Sequence, residues 1–394
     1  MIGRQHHINN SKKFTVFLVV SDIKSVDFFF KPHLKKLAKL YEFKIIANSD
    51  QTNYVIDQEL DLEVFHVPIT RPINLWKDLW ALFILIKIFW ASSPSLVHTI
   101  TPKAGFLGMV ASSISGVPIR IHSYTGQVWV TKNFQLRFLL KSIDRCISKL
   151  ATDILIDSPS QMKFLIQHRI INQKKSKVLG NGSMCGVNTE RFKPDDVDRL
   201  AFRSELNIGP DDMVILYLGR LNIDKGVIDL INAFSLLSID NPSVTLFLVG
   251  TNEFDLSKVK INPTLLMNKK IFQFGFTNTP ERFMRAADLF CLPSYREGFG
   301  QSVIEASSCG TPILASRIYG LTDAVMDNQT GWLHEPGNVI DLEKKLLLIL
   351  TEKVKLREVG AQGRDYVKNF YSEEILVNEM LKFYKEKFLF TIPH

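Results

Sequence analysis

Residues 287–305 read ADLFCLPSYREGFGQSVIE and join a buried strand to a helix through a turn that contains two glycines. The first eight residues contain the apolar run 289–292 and have the pattern of a buried strand in a parallel sheet. The helix that follows is amphipathic and runs toward Gly310. In open α/β folds, ligands bind at the carboxyl ends of the strands, where such turns lie. The stretch therefore predicts an α/β fold with a ligand site at this turn.

Two glutamates, Glu297 and Glu305, stand eight positions apart in the same stretch. Eight residues are a little over two helical turns, so we expect both carboxylates on roughly the same face of the helix. Gly298 and Gly300 remove two side chains, which lets backbone N–H groups at the helix start approach an anion or a sugar closely. One carboxylate can then bind one end of an elongated ligand while the other binds a hydroxyl-rich group elsewhere on it. The alternative is a solvated helix N-terminus, where glutamate is favoured by the helix dipole.

Strand and helix patterns alternate along the whole chain, which favours an α/β class with parallel sheets. The length of 394 residues favours two domains. The strand patterns form two series, separated by the polar stretch 188–212. The predicted strands are 14–20, 43–47, 62–67, 96–99, 119–123 and 153–157 in the first series, and 214–217, 244–249, 271–274, 289–292 and 312–315 in the second.

We therefore predict two Rossmann-like domains, each a doubly wound parallel sheet, that face a central cleft. The first domain comprises residues 1–190 and the second residues 191–371. The final segment, residues 372–394, is expected to form a helix that packs back on the first domain. A cleft between two sheet edges is a natural place for a reaction of two substrates.

Several common protein classes are excluded by motifs that the chain lacks. The turn after the first strand, residues 21–27, reads SDIKSVD and has no GxGxxG dinucleotide motif, and the sequence has no P-loop. Its four cysteines form no CxxC pair, so we expect reduced thiols in a cytoplasmic protein rather than a disulfide framework or a zinc site. Residues 1–13 are polar and lack the apolar segment of a signal peptide.

A second strand-to-helix turn, residues 218–226, reads LGRLNIDKG and contains two cations. Arginine can donate to two phosphate oxygens at once and lysine acts as a point charge, so Arg220 and Lys225 suit a diphosphate. Alone, the loop would be read as two surface cations. On the same sheet edge as Glu297 and Glu305, it predicts a donor site with a phosphate end and a sugar end.

Charge is distributed unevenly along the chain, whose net charge is +8. Residues 1–190 contain 24 Lys and Arg against 13 Asp and Glu, a net charge of +11, whereas residues 191–394 contain 24 against 27, a net charge of −3. The basic half predicts contact with an anionic surface. No aromatic–basic RNA-binding signature, zinc finger or helix-turn-helix pattern is present, so we expect acidic lipid rather than nucleic acid.

Two predicted helices are candidates for contact with a membrane. The first, residues 134–150, has four cations at a spacing of four, which places them in one stripe that we expect to meet lipid phosphates, with a solvated face as the alternative. The members of this basic stripe are Arg137, Lys141, Arg145 and Lys149. The second, residues 75–90, is apolar with Trp and Lys near both ends but too short to span a bilayer. It is either an interfacial helix or a helix buried against the sheet.

The order of these motifs resembles the retaining glycosyltransferases of family 4, which have the GT-B fold. The arginine–lysine loop followed by the two glutamates is the core of the resemblance, which extends from about Lys13 to the C-terminus. Further matches are VHT at 97–99, RIH at 120–122, DSPS at 157–160 and GNG at 180–182.

The resemblance implies a role for each residue of the predicted donor site. Arg220 and Lys225 would hold the diphosphate of a nucleotide sugar, most simply a UDP-sugar. Glu297 would contact the transferred sugar, and Glu305 would accept hydrogen bonds from the ribose hydroxyls. The glycine-containing turn between them would supply the residues around the sugar, namely Gly298, Phe299 and Gly300, the last two through their backbone amides.

The same resemblance extends to the base and to the first domain. Phe276 and Thr277 would lie near the nucleobase. His122, at the end of a first-domain strand, matches the position of an active-site histidine, with a core histidine as the alternative. The implied reaction proceeds with retention and without a metal or other cofactor, because Arg220 and Lys225 would neutralise the leaving diphosphate. No Asp-x-Asp motif sits at a plausible site.

The acceptor is indicated by residues 123–129, SYTGQVW, which resemble bacterial members that extend polyprenyl-diphosphate-linked sugars for O-antigen, capsule or glycoprotein glycans. We therefore expect a hexosyl- or N-acetylhexosaminyltransferase that acts on an undecaprenyl-diphosphate-linked acceptor. It would be peripherally attached to the inner face of the cytoplasmic membrane. The alternatives are transfer to a soluble sugar and a non-catalytic sugar-nucleotide-binding subunit.

Overall fold

The computed structural model describes residues 13–49, 60, 62–70, 72–209, 211–241, 243–253 and 270–389. The polar N-terminal tail and the last five residues of the expected terminal helix lie outside these described residues. Two β-sheets form the framework of the described part, and each has helices in its strand connections.

The first sheet has the strand order β3-β2-β1-β4-β5-β6-β7, and the pairs from β3 to β5 are parallel. All five residues of its central strand β4 are buried, as expected for a strand covered on both faces. The strands are β1 (Thr15–Val19), β2 (Glu42–Ala47), β3 (Glu63–His66), β4 (Leu96–Ile100), β5 (Ile119–Tyr124), β6 (Asp153–Ile156) and β7 (Ser176–Val178).

The second sheet has the order β10-β9-β8-β11-β12-β13, and all its neighbouring strands are parallel. Its strand order reverses between β8 and β11, which is the switch point where doubly wound sheets bind ligands. The turn with Arg220 follows β8, and the turn with Glu297 follows β11. The strands are β8 (Met213–Leu218), β9 (Val244–Val249), β10 (Ile271–Phe274), β11 (Leu289–Leu292), β12 (Ile313–Ser316) and β13 (Trp332–His334).

Helices connect most of these strands. Those of the first half are α1 (Lys24–Phe29), α2 (Lys31–Leu37), α3 (Leu75–Ser92), α4 (Pro102–Ile114), α5 (Phe134–Leu150) and α6 (Pro159–Gln167). Those of the second half are α7 (Asp196–Glu205), α8 (Val227–Asp240), α9 (Pro280–Ala286), α10 (Gln301–Ser308), α11 (Leu321–Ala324), α12 (Val339–Thr351), α13 (Lys353–Phe370) and α14 (Glu373–Leu389).

The predicted α/β class with two doubly wound parallel sheets is confirmed, with local differences. The sequence pattern of residues 28–41 predicts a single helix after the first strand, but the chain forms α1 and α2 with a break at Phe30. Pro32 lies in the first turn of α2, where the missing N–H costs nothing, so it favours a new helix start. Strands β7 and β13 were not predicted because each has only three residues.

The described chain divides into two compact units. The first unit holds the described residues up to Ser123, together with Cys146–Ile154 and the end of α14 from Phe383. The second unit holds Tyr124–Arg145 and Leu155–Lys382. Two segments that precede residue 190 therefore belong to the unit that holds the second sheet, although β7 and the end of β6 are strands of the first sheet. Both segments contribute to the site described below.

The end of the terminal helix α14 packs within the first unit. The ring of Phe388 stacks on Phe14 and Tyr41, with centroid distances of 4.6 and 4.7 Å. The hydroxyl of Tyr384 lies 2.7 Å from Nδ1 of His98, which is fully buried in β4. An apolar contact and a buried hydrogen bond thus hold the terminal helix to this sheet.

Candidate active site

The turns after β8 and β11 pack directly against each other. Gly226 has φ +68°, and a Cβ there would lie 1.9 Å from the carbonyl oxygen of Pro293, so only glycine fits between the two turns. Asn222 shapes the first turn, because its side chain accepts the backbone N–H of Lys225 at 3.0 Å. The ammonium of Lys225 then reaches Oε1 of Glu297 at 2.5 Å.

Glu297 has a second partner in its own turn. The hydroxyl of Ser294 lies 2.9 Å from the same Oε1 atom that contacts Lys225. The carboxylate is therefore held in one orientation at the carboxyl end of β11, at the strand switch point. This geometry joins the expected phosphate end and the expected sugar end of the site.

Arg220 also faces a carboxylate. Its Nη1 atom lies 2.8 Å from each oxygen of Glu253, which follows β9, and Asn222 donates to Oε2 of Glu253 at 2.9 Å. Both cations that the sequence assigns to a diphosphate thus have an internal anionic partner. Glu253 was not predicted, although an acid just beyond a strand adjacent to β8 is the signal that identifies it.

The two glycines of the turn are required by the packing of the protein itself. A Cβ on Gly298 would lie 2.5 Å from both Oδ2 of Asp157 and the carbonyl oxygen of Thr125. Gly300 has φ +88°, and a Cβ there would meet the side chain of Leu321 at 2.5 Å. The sequence suggested that these glycines make room for a ligand, and the structure adds that neighbouring protein atoms also occupy the space beside them.

The expectation that Glu297 and Glu305 share a helix face is wrong. Helix α10 begins at Gln301, and the left-handed conformation of Gly300 prevents it from extending back to Glu297. Glu305 is on the helix and is partly buried, with Nε2 of Gln301 at 3.2 Å from its Oε1. Burial raises the pKa of Glu305 to about 7. Between them, Phe299 is a core residue whose ring contacts Tyr371 at a centroid distance of 5.0 Å.

Phe276 and Thr277, expected near a nucleobase, lie on the loop after β10 in the second sheet. The ring of Phe276 is exposed. The hydroxyl of Thr277 accepts the backbone N–H of Thr279 at 3.1 Å, which gives the loop a fixed turn. An exposed aromatic ring at the sheet edge suits stacking with a flat ring of a ligand.

His122 belongs to the first unit and is almost fully buried in β5. Its Nδ1 atom lies 2.8 Å from Oγ1 of Thr99 on the neighbouring strand. A Cβ on Gly105 of α4 would lie 2.3 Å from Cε1 of this ring, so the helix has a glycine where the imidazole packs. Burial lowers the pKa of His122 to about 3, which leaves the ring neutral at physiological pH.

In the basic stripe of α5, three of the four cations contact neighbouring parts of the protein, although Arg137 is also exposed to solvent. Arg137 donates to the carbonyl oxygens of Trp129 and Val130, and the ammonium of Lys141 lies 4.6 Å from the centroid of the Trp129 ring. Arg145 donates to two carbonyl oxygens just beyond α6. Lys149 is exposed. Three of the four cations therefore fasten α5 to its neighbours.

Apolar side chains of α3 and α5 are exposed instead. On α5, Phe134 is 83% exposed, and Phe138 and Leu139 are also exposed. Helix α3 buries only a narrow stripe and exposes half of its large apolar side chains. The buried stripe is Ala81, Leu85 and Phe89, and the exposed tryptophans are Trp76, Trp80 and Trp90. In the part of the chain that the structure describes, no helix has the length and apolar character needed to cross a bilayer.

Comparisons with known proteins identify the family of this chain. The sequence profile of the family described as glycosyl transferases group 1 matches residues 198–366. The capsular polysaccharide biosynthesis glycosyltransferase CapM of Staphylococcus aureus is 30% identical over 332 residues, which are 83% of this chain and 86% of that protein. The UDP-Gal:alpha-D-GlcNAc-diphosphoundecaprenol alpha-1,3-galactosyltransferase of Escherichia coli is 27% identical over 309 residues, covering 77% of this chain and 78% of that protein.

A solved structure extends the comparison to the fold. Anabaena Alr3699/HepE, determined in complex with UDP and glucose, matches with a TM-score of 0.77 at 18% sequence identity. The match covers 95% of this chain and 100% of that protein. It confirms the GT-B fold that the sequence motifs indicated.

Proposed function

Since this chain belongs to the glycosyl transferases group 1 family, we propose that it moves a sugar from a UDP-sugar to a saccharide on a polyprenyl diphosphate. The chain is a glycosyltransferase of the hexosyl or N-acetylhexosaminyl type. The observation that supports the donor site most directly is the pairing of Lys225 with Glu297 at the strand switch point. Lys225, a cation suited to phosphate, and Glu297, an acid suited to sugar hydroxyls, are in direct contact there.

The choice of UDP rests on relatives. The name of the Escherichia coli relative specifies UDP-galactose as donor, and the Anabaena structure contains UDP. In our proposal, Arg220 and Lys225 bind the diphosphate, Glu305 accepts hydrogen bonds from the ribose, and Phe276 and Thr277 lie at the base. The two cations stand where other enzymes use a metal ion, so we propose a reaction that needs no metal.

The proposed chemistry is transfer with retention of the anomeric configuration. The bond between the sugar C1 and the diphosphate oxygen breaks, and the acceptor hydroxyl oxygen forms the new bond to C1 on the same face. Its proton passes to the departing diphosphate, so the reaction balances without a further reactant. Arg220 and Lys225 stabilise the negative charge that develops on the leaving group. The alpha-1,3 linkage in the name of the Escherichia coli relative supports retention.

The acceptor and the location are proposed from the relatives and from the exposed surface. The acceptor named for the Escherichia coli relative is a diphosphoundecaprenol-linked sugar, which is anchored in a membrane. Trp76, Trp80 and Trp90 on α3 are exposed, with Lys77 and Lys87 on the same helix, a composition typical of interfacial helices. An ion pair of 2.8 Å between Asp78 and Lys103 holds α3 to α4. We propose that α3 attaches the enzyme peripherally to the inner face of the cytoplasmic membrane.

A transfer assay tests this proposal. The protein is incubated in EDTA with a panel of UDP- and GDP-sugars and either a synthetic polyprenyl-diphosphate-linked N-acetylhexosamine or a free sugar. We expect UDP release and a glycosylated lipid with one or two of the UDP-sugars. Transfer from a GDP-sugar alone would contradict the proposed donor, and transfer to the free sugar alone would contradict the acceptor. Activity that vanishes in EDTA and returns with Mg²⁺ would contradict the metal-independent reaction.

A further inference from the structure

Asp157 places a buried carboxyl group directly behind the turn that contains Glu297. It follows β6 and is 7% exposed. Its Oδ2 atom lies 2.5 Å from the position that a Cβ would take on Gly298, the residue next to Glu297. Asp157, Gly298 and Glu297 belong to the same compact unit. The carboxyl group is thus part of the wall of the proposed sugar end of the site.

This carboxyl group has no polar partner among the described residues, and in this it differs from Asp144 and Asp288 in the same unit. The carboxylate of Asp144 accepts the indole N–H of Trp129 at 2.8 Å, and that of Asp288 pairs with Arg199 and Arg203. For Asp157, the structure records hydrogen bonds only through the backbone. Its N–H donates to Oε1 of Gln161, and its carbonyl oxygen accepts the N–H of Ser183.

An unpaired buried carboxyl group is costly, because burial removes the hydration of the charged form. Burial raises the pKa of Asp157 to about 8, so the group is largely a neutral acid at physiological pH. A small apolar residue would fill the same place without this cost. Perturbed acids of this kind are frequent in binding sites, where a ligand supplies the missing partner.

Gln127 is a second buried polar side chain near Asp157 that lacks a hydrogen-bond partner for one of its atoms. It is 1% exposed, and its Nε2 atom has no acceptor among the described residues. Its Oε1 atom accepts Nε2 of Gln161 at 3.3 Å, while Oε1 of Gln161 binds the backbone of Asp157. Gln161 therefore links the two unsatisfied groups. Together they offer an N–H donor and a carboxyl group, which complement a hydroxyl that both accepts and donates.

We propose that Asp157 contacts a substrate, with its carboxyl group binding a hydroxyl of one of the two sugars and Nε2 of Gln127 as the second partner. This inference rests on the proposed function, which places the sugar end of the donor at Glu297. The hydroxyl belongs either to the transferred sugar or to the sugar of the acceptor. The chemistry is the same in both cases, and two assays separate them.

The test compares Asp157→Ala and Asp157→Asn with Asp144→Asn, a matched change at another buried acid of the unit. UDP release is measured without acceptor, which reports the donor sugar alone, and transfer is measured with the polyprenyl-diphosphate-linked sugar. We expect Asp157→Ala to lower kcat/KM by about 100-fold, because a buried hydroxyl contact is lost. Asp157→Asn should recover much of this loss, since an amide also donates and accepts.

A loss in both assays assigns the hydroxyl to the donor sugar, and a loss in transfer alone assigns it to the acceptor. Deoxy analogues of the assigned sugar then show whether the loss comes from a missing contact with the hydroxyl or from a disturbed protein structure. With the analogue that lacks the contacted hydroxyl, kcat/KM of Asp157→Ala should equal that of the unmodified protein. The proposal is overturned if Asp157→Ala retains its activity, or if its loss is equal with the parent sugar and every deoxy analogue. Lys225→Ala serves as reference, because normal turnover in that variant would instead refute the donor site itself.

Discussion

The ammonium of Lys225 lies 2.5 Å from Oε1 of Glu297, so the cation expected at the donor diphosphate and the acid expected at the donor sugar neutralise each other. Neither side chain is free to move far, since the turn of Glu297 is packed on Gly226. A bound diphosphate would share Lys225 with Glu297 or replace it. The ion pair therefore determines the net charge of the empty site to which the donor binds.

Lys225→Ala should lower kcat at saturating donor by about 100- to 1000-fold while the fold remains intact. The reason is the loss of a fixed charge that stabilises the leaving diphosphate in the transition state. Lys193→Ala, a lysine paired with exposed Glu190, is the control. Initial rates of UDP release measure the effect, and a kcat equal to that of the unmodified enzyme would refute the role of Lys225.

Glu253→Gln should strengthen UDP binding several-fold. In the free protein, Glu253 holds Arg220 through both carboxylate oxygens, and the diphosphate has to compete with it. An amide competes less for a guanidinium than a carboxylate does. Calorimetric titration with UDP measures the affinity, with Glu63→Gln, which removes a paired carboxylate in the first unit, as control. Unchanged or weaker binding would show that Glu253 does not oppose the donor.

Glu305→Gln should raise KM for the donor more than it lowers kcat, whereas Glu297→Gln should mainly lower kcat. A ribose contact is nearly equal in the ground state and the transition state, so its loss weakens binding uniformly. A contact to the reacting sugar becomes stronger in the transition state, so its loss mainly lowers kcat. Steady-state kinetics over a range of donor concentrations give both values. The reversed pattern would mean that the donor lies in the opposite direction along the turn and α10.

The first unit should lose stability as the pH falls from about 6.5. Burial lowers the pKa of both His98 and His122 to about 3, below the value in an unfolded chain. Their contribution is therefore fully present above pH 6.5 and is lost below it, by about 2 kcal/mol for each histidine between pH 8 and pH 5. Hydrogen exchange of β4 and β5 measures this loss. His98→Asn should reduce the pH dependence, and protection that does not change between pH 8 and pH 5 would refute the prediction.

Replacing Trp76 and Trp80 with serine should release the protein from vesicles of phosphatidylethanolamine and phosphatidylglycerol at both low and high salt. Burial of a large apolar side chain in the interface is worth about tenfold in affinity for each tryptophan. Co-sedimentation with vesicles measures the binding. The control is Ile239→Ser, an exposed apolar residue of α8. If binding persists but is abolished by salt, basic residues rather than α3 make the contact.

The sequence was informative where a structural rule links position in the chain to position in space. Strands β9 and β11 have the predicted bounds because each is a continuous buried run, and β10 also has the predicted bounds although only its first residue is buried. Parallel strands end at the same edge, so the turn with Lys225 and the turn with Glu297 could be expected to lie close together, as they do. Periodicity placed the cations of α5 on one face, but it could not show that three of them contact other parts of the protein, because those contacts are made with Trp129 and with carbonyl groups outside the helix. The contact of Asp157 with Gly298 depends in the same way on a fold that brings distant segments together.

The close approach of Thr125, Gly126 and Asp157 to Gly298 has a practical consequence for building chimaeric enzymes. A Cβ on Gly126 would lie 3.1 Å from the backbone nitrogen of Gly298, so these segments leave almost no spare volume. Grafting residues 191–371 of a relative in order to change the transferred sugar would pack the relative's turn at Gly298 against Thr125, Gly126 and Asp157 of this chain. An exchange that also takes Tyr124–Arg145 and the segment from Leu155 to residue 190 keeps these contacts within one parent. The exchangeable module is therefore discontinuous in sequence, with its junctions at residues 123–124, 145–146 and 154–155 rather than at residue 190.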